Sequence, residues 1–194
     1  MSAALQWTGA ETAQLGAAVP LRLWPLEVRS PRVAPRLVTY VDAPLRAAEL
    51  ADVPQLLQLL DGFARRGLLL PRSAEQVYRQ FREFTVAVSD DGVVGSVALR
   101  VYSPELAEVA GLAVSEHLHG QGLGRRLVET AVAQARALGI RRVFALTLHP
   151  DFFHRCGFRT TSVAAFPQKL EADCAGCARR AACAEVAVVM ELNA

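Results

Sequence analysis

Apolar residues recur at helical spacing in three segments of this chain. The stripes are Val53, Leu56, Leu57 and Leu60; Val77, Phe81 and Phe84; and Leu127, Val128, Ala131, Ala135 and Leu138. Typical helix-start residues, Asp52 with Pro54 and later Ser73, precede the first two stripes, and Gly139 follows the third. The pattern predicts three helices, the last over about residues 124–138, and a short fourth helix over residues 152–156.

Short apolar runs between these helices predict strands. They cover residues 85–88, 93–101, 108–114, 143–148, 158–163 and 185–192. Asp90, Asp91 and Gly92 separate the first two runs as a hairpin turn would. The third run is almost continuously apolar, which is typical of a strand buried on both faces. The order of elements predicts an α/β or α+β domain whose ligand loop follows a central strand.

Residues 1–42 differ from the rest of the chain. They show no sustained period and carry four of the ten prolines. We interpret them as a flexible N-terminal extension, with room for one short strand at residues 37–41. The folded domain is expected to span residues 43–194.

Composition and charge narrow the classes of function. The chain has 194 residues, of which 52% are hydrophobic, and a mean hydropathy of +0.23, which suits one folded domain. A net charge of +2 gives no reason to expect nucleic acid or an anionic membrane as a partner. The sequence shows neither a long apolar span nor the basic start and apolar core of a secretion signal, so we expect a cytoplasmic protein.

The segment His119-Gly-Gln-Gly-Leu-Gly124 lies between the third predicted strand and the third predicted helix. Glycines let the backbone approach a ligand closely, and a helix start offers unpaired N–H groups to an anion. The loop therefore predicts a site for a pyrophosphate group. Arg125 stands where a dinucleotide-binding loop needs glycine, and no Lys-Ser or Lys-Thr follows the glycines, so neither that loop nor an NTPase loop fits.

This segment resembles the acyl-CoA loop of the GNAT acetyltransferases, in which Arg or Gln, two residues, Gly, one residue and Gly or Ala follow one another. His119, Gly122 and Gly124 fill those positions, and the histidine departs from the family. Phe152–Phe158 is similar to the family's aromatic-aromatic-x-x-x-Gly-Phe signature, and Leu45–Leu60 is similar to the opening of its fold. The resemblance covers essentially the whole folded part.

The resemblance implies a GNAT fold, with a mixed, mostly antiparallel sheet that is splayed between its fourth and fifth strands and flanked by helices. It also implies acetyl-CoA as co-substrate, with the pantetheine arm along the fourth strand and the pyrophosphate at the glycine loop. The residues implied as contacts are Leu112, Ala113, Val114, His119, Gly120, Gln121, Gly122, Leu123, Gly124 and Arg125.

Glu108, at the start of the third apolar run, is the candidate general base. Burial there would raise the pKa of a carboxyl group toward a useful value, and the group could act through a water. The alternative is a carboxylate at the strand edge that points to solvent. Many relatives place a tyrosine, as general acid, at the position of Phe153. Without that phenol, the thiolate would leave by another route, such as protonation by water.

Further segments are similar to the acetyltransferase domain of bacterial N-acetylglutamate synthases, in a form without the kinase domain. They are Gly67–Ser73, Glu83–Ala87, Glu108–Val114, Arg141–Thr147 and Glu185–Leu192. This resemblance implies acetyl transfer to L-glutamate, the first step of arginine synthesis. Two alternatives stay open: an enzyme that acetylates another small amine or a protein N-terminus, and a non-catalytic acyl-CoA-sensing module. The oligomeric state, a homodimer included, stays open as well.

Glutamate carries two carboxylates, so its pocket must be cationic. Arg72, in the Pro-Arg-Ser step, is the first candidate for a carboxylate clamp because of its forked donors. Lys169, the only lysine, and Arg180 lie in the long segment before the last strand, which in this group lies near the acceptor. For any one of these cations the alternative is a solvated surface residue.

Cys174, Cys177 and Cys183 occur in the same segment with the spacing C-x2-C-x5-C. The first pair has the spacing of a zinc knuckle, although a fourth ligand would have to come from elsewhere. A structural zinc ion would shape the acceptor pocket without taking part in the chemistry. Free thiols are the alternative, because cytosolic proteins rarely keep disulfides.

Overall fold

A computed structural model describes residues 43–192. They form a seven-stranded sheet with the order β1-β2-β3-β4-β5-β7-β6. The strands are β1 Leu45–Ala47, β2 Phe84–Ser89, β3 Gly92–Ser103, β4 Leu106–Val114, β5 Arg142–Thr147, β6 Arg159–Thr161 and β7 Val186–Glu191. The helices are α1 Val53–Arg65, α2 Ala74–Gln80, α3 Leu123–Ala137, α4 Pro150–Arg155 and α5 Pro167–Lys169. No helix in this range combines the length and apolar character that a bilayer crossing requires.

The three predicted amphipathic helices are present, although α2 ends at Gln80, so that Phe81 lies in a 3-10 turn and Phe84 begins β2. Local sequence explains how the helices start. Ser73 Oγ accepts a hydrogen bond from the N–H of Gln76 at 3.1 Å, while Gln76 Oε1 accepts one from the N–H of Ser73 at 2.8 Å. This reciprocal capping box fixes the first turn of α2. Before α1, the carboxylate of Asp52 accepts from the N–H of Glu49 at 2.7 Å and pairs with Arg46.

Two strands differ from the prediction. The periodicity predicts no strand at Leu45–Ala47, yet these residues form the edge strand β1, antiparallel to β2. Strand β6 is shorter than predicted because Phe158 is buried in the core and Ser162 caps a 3-10 turn. The predicted N-terminal extension and the strand at residues 37–41 lie outside the described residues.

Apolar layers cover both faces of the sheet. On one face, α3 contributes Leu127 and Val128 to the core. On the other, α1 and α2 pack Leu56 and Val77 with Phe84 of β2. Each face is thus closed by helices, so an opening through the sheet requires neighbouring strands to part.

Strands β4 and β5 part in this way. They are the parallel pair of the described sheet, and they pair over Leu106–Glu108 on β4 and Arg142–Phe144 on β5. Strand β5 then continues to pair with β7 as far as Thr147. Beyond Glu108 the two strands diverge, which confirms the predicted mixed sheet with a splay between its fourth and fifth strands.

Gly111 gives β4 the irregularity that accompanies this divergence. Its φ of +57° lies in the left-handed region, and a Cβ here would lie 3.0 Å from Cε1 of Phe84. The register between β3 and β4 shifts at this point, and Ser96 Oγ–H donates to the Gly111 carbonyl at 3.0 Å. A bulge bends a strand and increases its twist, so the second half of β4 leaves β5.

The connection between β6 and β7, residues 162–185, reaches the closed end of this splay. Phe166 stacks on Phe144 of β5 with ring centroids 4.1 Å apart. Helix α5 then runs directly into a π-helical turn, Leu170–Cys174. The stacked rings anchor the start of the connection, so the π-helical turn is held near the first residues of β4.

Candidate active site

A cavity of about 560 Å³ lies between the diverged strands β4 and β5. Residues 109–112 of β4 line one wall, and residues 146–149 at the end of β5 line the opposite wall. Leu68 and Leu69, in the loop after α1, close a third side. A cavity of this size with mostly apolar walls suits the arm of a small molecule.

The glycine loop forms one end of the cavity. Gly122 is the N-cap of α3 with a φ of +86°, and Leu123 and Gly124 open the helix. The first N–H groups of an α-helix have no partner within it, and the dipole of this 15-residue helix adds to their attraction for an anion. Arg125 and Arg155 line the same end. This arrangement suits phosphate groups.

Most of the residues predicted to contact acetyl-CoA surround this one space. Those that line the cavity are Leu112, Val114, His119, Gly120, Gly122, Leu123, Gly124 and Arg125. Ala113 instead faces the core beneath α1 and α2, and the exposed Gln121 donates to the His117 carbonyl at 3.0 Å. The contacts of all ten residues with acetyl-CoA stay predictions.

His119, the departure from the family pattern, turns back to β4. Its Nε2 lies 2.7 Å from the carbonyl oxygen of Val114. Because a carbonyl oxygen only accepts, Nε2 carries the proton and donates it. The imidazole thereby ties the glycine loop to the end of β4, and the part of the loop that is predicted to bind an anion consists of backbone groups.

Phe153 packs as a core residue at the position where many relatives have tyrosine. Its ring meets Phe152 and Phe158 edge-on, with centroids 5.2 and 5.3 Å away. It also lines the cavity, but it is only 5% exposed. Phe153 therefore contributes to packing, and it has no hydroxyl group that could donate a proton.

A polar cluster lies at the closed end of the splay. We define it as Arg72, Arg100, Tyr102, Glu108, Lys169 and Asp173. Glu108 is 4% exposed, and the Lys169 ammonium lies 2.9 Å from both of its carboxylate oxygens. The Tyr102 hydroxyl lies 3.0 Å from Glu108 Oε2. Glu108 is therefore buried and paired, which excludes the alternative of a carboxylate that points to solvent; its role as base stays a prediction.

Asp173 completes the cluster from the π-helical turn. Its Oδ2 accepts from Lys169 Nζ at 3.0 Å and from Arg100 Nη1 at 3.2 Å, and it contacts the Tyr102 hydroxyl. Burial raises the pKa of Asp173, but the hydrogen bonds from Tyr102 and Lys169 outweigh it and hold the pKa below its usual value. Burial lowers the pKa of Lys169, but the charges of Glu108 and Asp173 and their hydrogen bonds together outweigh burial and raise the pKa. Asp173 and Lys169 are therefore both charged at neutral pH.

Arg72 lies beside this network without an ion pair of its own among the contacts found in residues 43–192. Its guanidinium lies 5.6 Å from the centroid of the Phe84 ring and donates to Gln80 Oε1 at 3.3 Å. Burial, followed by the charge of Arg100, lowers the pKa of Arg72. The two arginines are thus close enough to repel each other, and the attraction of Glu108 acts in the opposite direction.

Arg180, the third predicted substrate contact, is exposed at the start of a short 3-10 turn. Its neighbour Arg179 donates to the carbonyl of Gly67 at 3.0 Å. That bond ties the β6–β7 connection to the loop after α1. As arranged here, Arg180 lies outside the polar cluster.

Sequence reasoning missed Arg100, Tyr102, Asp173 and Glu185. The alternation along β3 places Arg100 and Tyr102 on one face, and this signal could have found them. Glu185 is the one carboxylate among the described residues that line the cavity. Burial raises the pKa of Glu185, although the charge of Lys169 lowers it.

The predicted zinc site has no structural support. Within residues 43–192, no group of three or more Cys, His, Asp or Glu side chains could hold a metal ion. Cys174 and Cys177 are half-buried free thiols, and Cys183 is an exposed one. Burial raises the pKa of the Cys174 thiol, although the charge of Lys169 lowers it.

Comparison with known sequences identifies relatives of the chain. Residues 53–158 match the acetyltransferase (GNAT) family. An uncharacterized N-acetyltransferase of Chlorobaculum tepidum is 40% identical over 151 residues, which cover 78% of this chain and 97% of that protein. An amino-acid acetyltransferase of Mycobacterium tuberculosis is 38% identical over 117 residues, or 59% of this chain and 67% of the relative. One from Neisseria meningitidis serogroup A is 32% identical over 66% of this chain and 30% of the relative.

Two solved structures share the fold of this chain. N-acetylglutamate synthase from Neisseria gonorrhoeae, complexed with coenzyme A and N-acetyl-glutamate, superposes with a TM-score of 0.71 at 29% identity, covering 78% of this chain and 35% of that chain. A Mycobacterium tuberculosis protein in complex with CoA and NLQ gives a TM-score of 0.65 at 29% identity, covering 77% of this chain and 99% of that chain.

The two glycines that flank α3 offer a test of the anion site. Gly122 and Gly139 have φ values of +86° and +75°, and a Cβ at either position would meet nothing within 4 Å. Gly122→Ala and Gly139→Ala should each cost about 1–2 kcal/mol of unfolding free energy, because both place alanine in the left-handed region. Only Gly122→Ala should also raise the KM for acetyl-CoA, by roughly tenfold.

Chemical denaturation and steady-state kinetics with acetyl-CoA as the varied substrate measure these two effects. An equal KM in the two variants would show that the start of α3 does not bind the donor.

Proposed function

The chain belongs to the acetyltransferase (GNAT) family, and from this premise we propose that it transfers the acetyl group of acetyl-CoA to the α-amine of L-glutamate. The products would be N-acetylglutamate and CoA, in the first step of arginine synthesis. The observation that carries this proposal is the polar cluster, because it gathers three cations at the closed end of the splay. Glu108 of the cluster directly precedes Val109, which lines the cavity.

The charges of the two ends of the site support a dicarboxylate acceptor. One end offers a helix start, Arg125 and Arg155 to the phosphates of the donor. The other end holds Arg72, Arg100 and Lys169 close to Glu108. A pocket for an apolar amine would not retain three buried or half-buried cations, because their desolvation is costly. The N-acetyl-glutamate in the Neisseria gonorrhoeae structure is consistent with such a pocket.

The proposed reaction is a direct transfer. The backbone of β4 beyond Glu108 holds and polarises the thioester carbonyl, since its groups at residues 109–112 face the gap instead of β5. The neutral α-amine attacks the carbonyl carbon, the C–N bond forms and the C–S bond breaks. Before this attack, Glu108 takes one proton of the acceptor ammonium through a water, which makes the α-amine neutral. The thiolate leaves and takes up, through water, the second proton that the nitrogen loses as the amide forms, because Phe153 carries no hydroxyl.

A panel of amino acids tests the acceptor. Release of free CoA from acetyl-CoA should be fastest with L-glutamate and slower by at least tenfold with glutamine, which lacks the second carboxylate. A thiol-reactive dye measures the rate, and mass spectrometry identifies the product. Faster release with another small amine or a peptide N-terminus would favour a GNAT with that acceptor. Tight CoA binding with no turnover would identify an acyl-CoA-sensing module.

Removal of the Arg72 guanidinium tests the carboxylate clamp. Arg72→Ala should raise the KM for glutamate by at least tenfold and leave the KM for acetyl-CoA unchanged. Of the two substrates, the acceptor is the one that contacts this side chain in the proposal. Arg82→Ala is the matched control, since Arg82 is exposed on the turn after α2. Equal glutamate KM values in the two variants would rule out the clamp.

Neutralisation of Glu108 tests the proposed base. Glu108→Gln should lower kcat by about 10²–10⁴-fold, which is the usual contribution of a positioned general base, with little change in the KM for acetyl-CoA. Glu105→Gln, at the exposed turn between β3 and β4, is the control. The rates are compared below the melting temperature of each variant, since Glu108→Gln also unpairs Lys169. A kcat within threefold of the control would assign the proton to another group.

A further inference from the structure

We infer that the position now held by the carboxylate of Asp173 is the binding site for the second carboxylate of the acceptor, and that Asp173 is an internal competitor which the acceptor displaces. This inference rests on the proposed dicarboxylate acceptor and adds a residue-level site to it. It also implies that the cluster exists in two arrangements, one closed by the protein's own carboxylate and one closed by the substrate.

The pairing of the cations leads to this conclusion. A dicarboxylate needs two cationic positions. Arg72 provides one, because the contacts found for its guanidinium in residues 43–192 are the Gln80 amide and the Phe84 ring, and neither is a carboxylate. Lys169 and Arg100 are both already paired with carboxylates of the chain. A second acceptor carboxylate therefore has a cation in this cluster only when one carboxylate of the chain withdraws.

The donors around Asp173 form a ready-made carboxylate site. Lys169 Nζ at 3.0 Å, Arg100 Nη1 at 3.2 Å and the Tyr102 hydroxyl all converge on the same oxygen, Oδ2. Two of these three donors are charged, and charge-assisted hydrogen bonds are about twice as strong as neutral ones. Any carboxylate oxygen brought to this point would receive the same three bonds.

Asp173 is the carboxylate of the network that can withdraw. The Glu108 side chain is 5% exposed, whereas that of Asp173 is 35% exposed. Glu108 lies in the middle of the sheet on β4, but Asp173 lies in a π-helical turn of the β6–β7 connection. Short π-helical segments are rare and occur frequently at functional sites. Glu83 is also half-exposed, but its distance of 3.5 Å from Arg100 makes it a weak partner and leaves Lys169 untouched.

Charge bookkeeping points the same way. In the closed arrangement, three cations face three carboxylates, namely Arg72, Arg100 and Lys169 with Glu83, Glu108 and Asp173. Withdrawal of Asp173 alone leaves an excess positive charge in a half-buried place, which is unfavourable. An incoming carboxylate restores the balance. The exchange is therefore coupled to acceptor binding and does not need an empty, uncompensated state.

The test compares Asp173→Asn with Glu171→Gln, a neutralisation of the exposed carboxylate on the same turn. Removal of the competing charge frees the donors at all times, so Asp173→Asn should lower the glutamate KM and the Kd of glutarate by about tenfold. Glutarate carries the two carboxylates without the amine, and calorimetry measures its binding without turnover. Glu171→Gln should change neither value. Unchanged or weaker binding of both ligands by Asp173→Asn would show that Asp173 only fastens the turn and would overturn the inference.

The wild-type chain provides a second measurement in case the variant does not fold. Cys174 follows Asp173 directly and is half-buried. Displacement of the turn by saturating glutarate should raise its rate of alkylation by iodoacetamide at least threefold, read by peptide mass spectrometry, relative to Cys156 after α4. An unchanged ratio would contradict the inference.

The failure of this inference and that of the proposed function give different results. Glutamate turnover by the wild-type chain with no gain of affinity in Asp173→Asn rejects the inference alone. No turnover of glutamate rejects the proposed acceptor, and the calorimetric arm with glutarate then still decides whether the donors around Asp173 bind a carboxylate.

Discussion

The ion pair between Lys169 and Glu108 is the interaction on which the arrangement of the polar cluster depends. It joins the β6–β7 connection to β4 at the residue where the pairing with β5 ends. Both side chains are buried, and removal of one partner from such a pair typically costs about 3–5 kcal/mol because the other charge is left unpaired. The ion pair therefore places the π-helical turn beside the splay, where Asp173 contacts Arg100 and Tyr102 of β3.

The proposed donor site and the polar cluster are built on different physical principles. The proposed donor site is mainly backbone, with a left-handed glycine at the start of α3 and N–H groups that the helix cannot pair. His119 departs from the family pattern, and its imidazole holds the loop itself by bonding to the Val114 carbonyl. The polar cluster, which is the proposed acceptor site, is made of side chains from four separate segments.

This difference also decides how much the sequence could predict. The helices, the helix start at Ser73 and the position of the glycine loop before the third predicted helix are local patterns, and the structure confirms them. The splay followed only from the family resemblance, since the bulge at Gly111 depends on contacts with neighbouring strands. The sequence indicated Lys169 as a substrate contact and Glu108 as a base, but it did not indicate that the two side chains pair with each other. Their pairing spans 61 residues, and no local pattern encodes it.

The single lysine of the chain belongs to this ion pair. Of 21 lysine and arginine residues, Lys169 is the only lysine. Its ammonium lies within 3.0 Å of three carboxylate oxygens that belong to two different residues. A compact ammonium with three rotatable donors can divide its bonds in this way, whereas arginine holds its donors in a rigid planar fork. A shared cation of this kind can keep Glu108 while it exchanges Asp173 for another anion, so the lysine is what makes an exchangeable carboxylate position compatible with a fixed one.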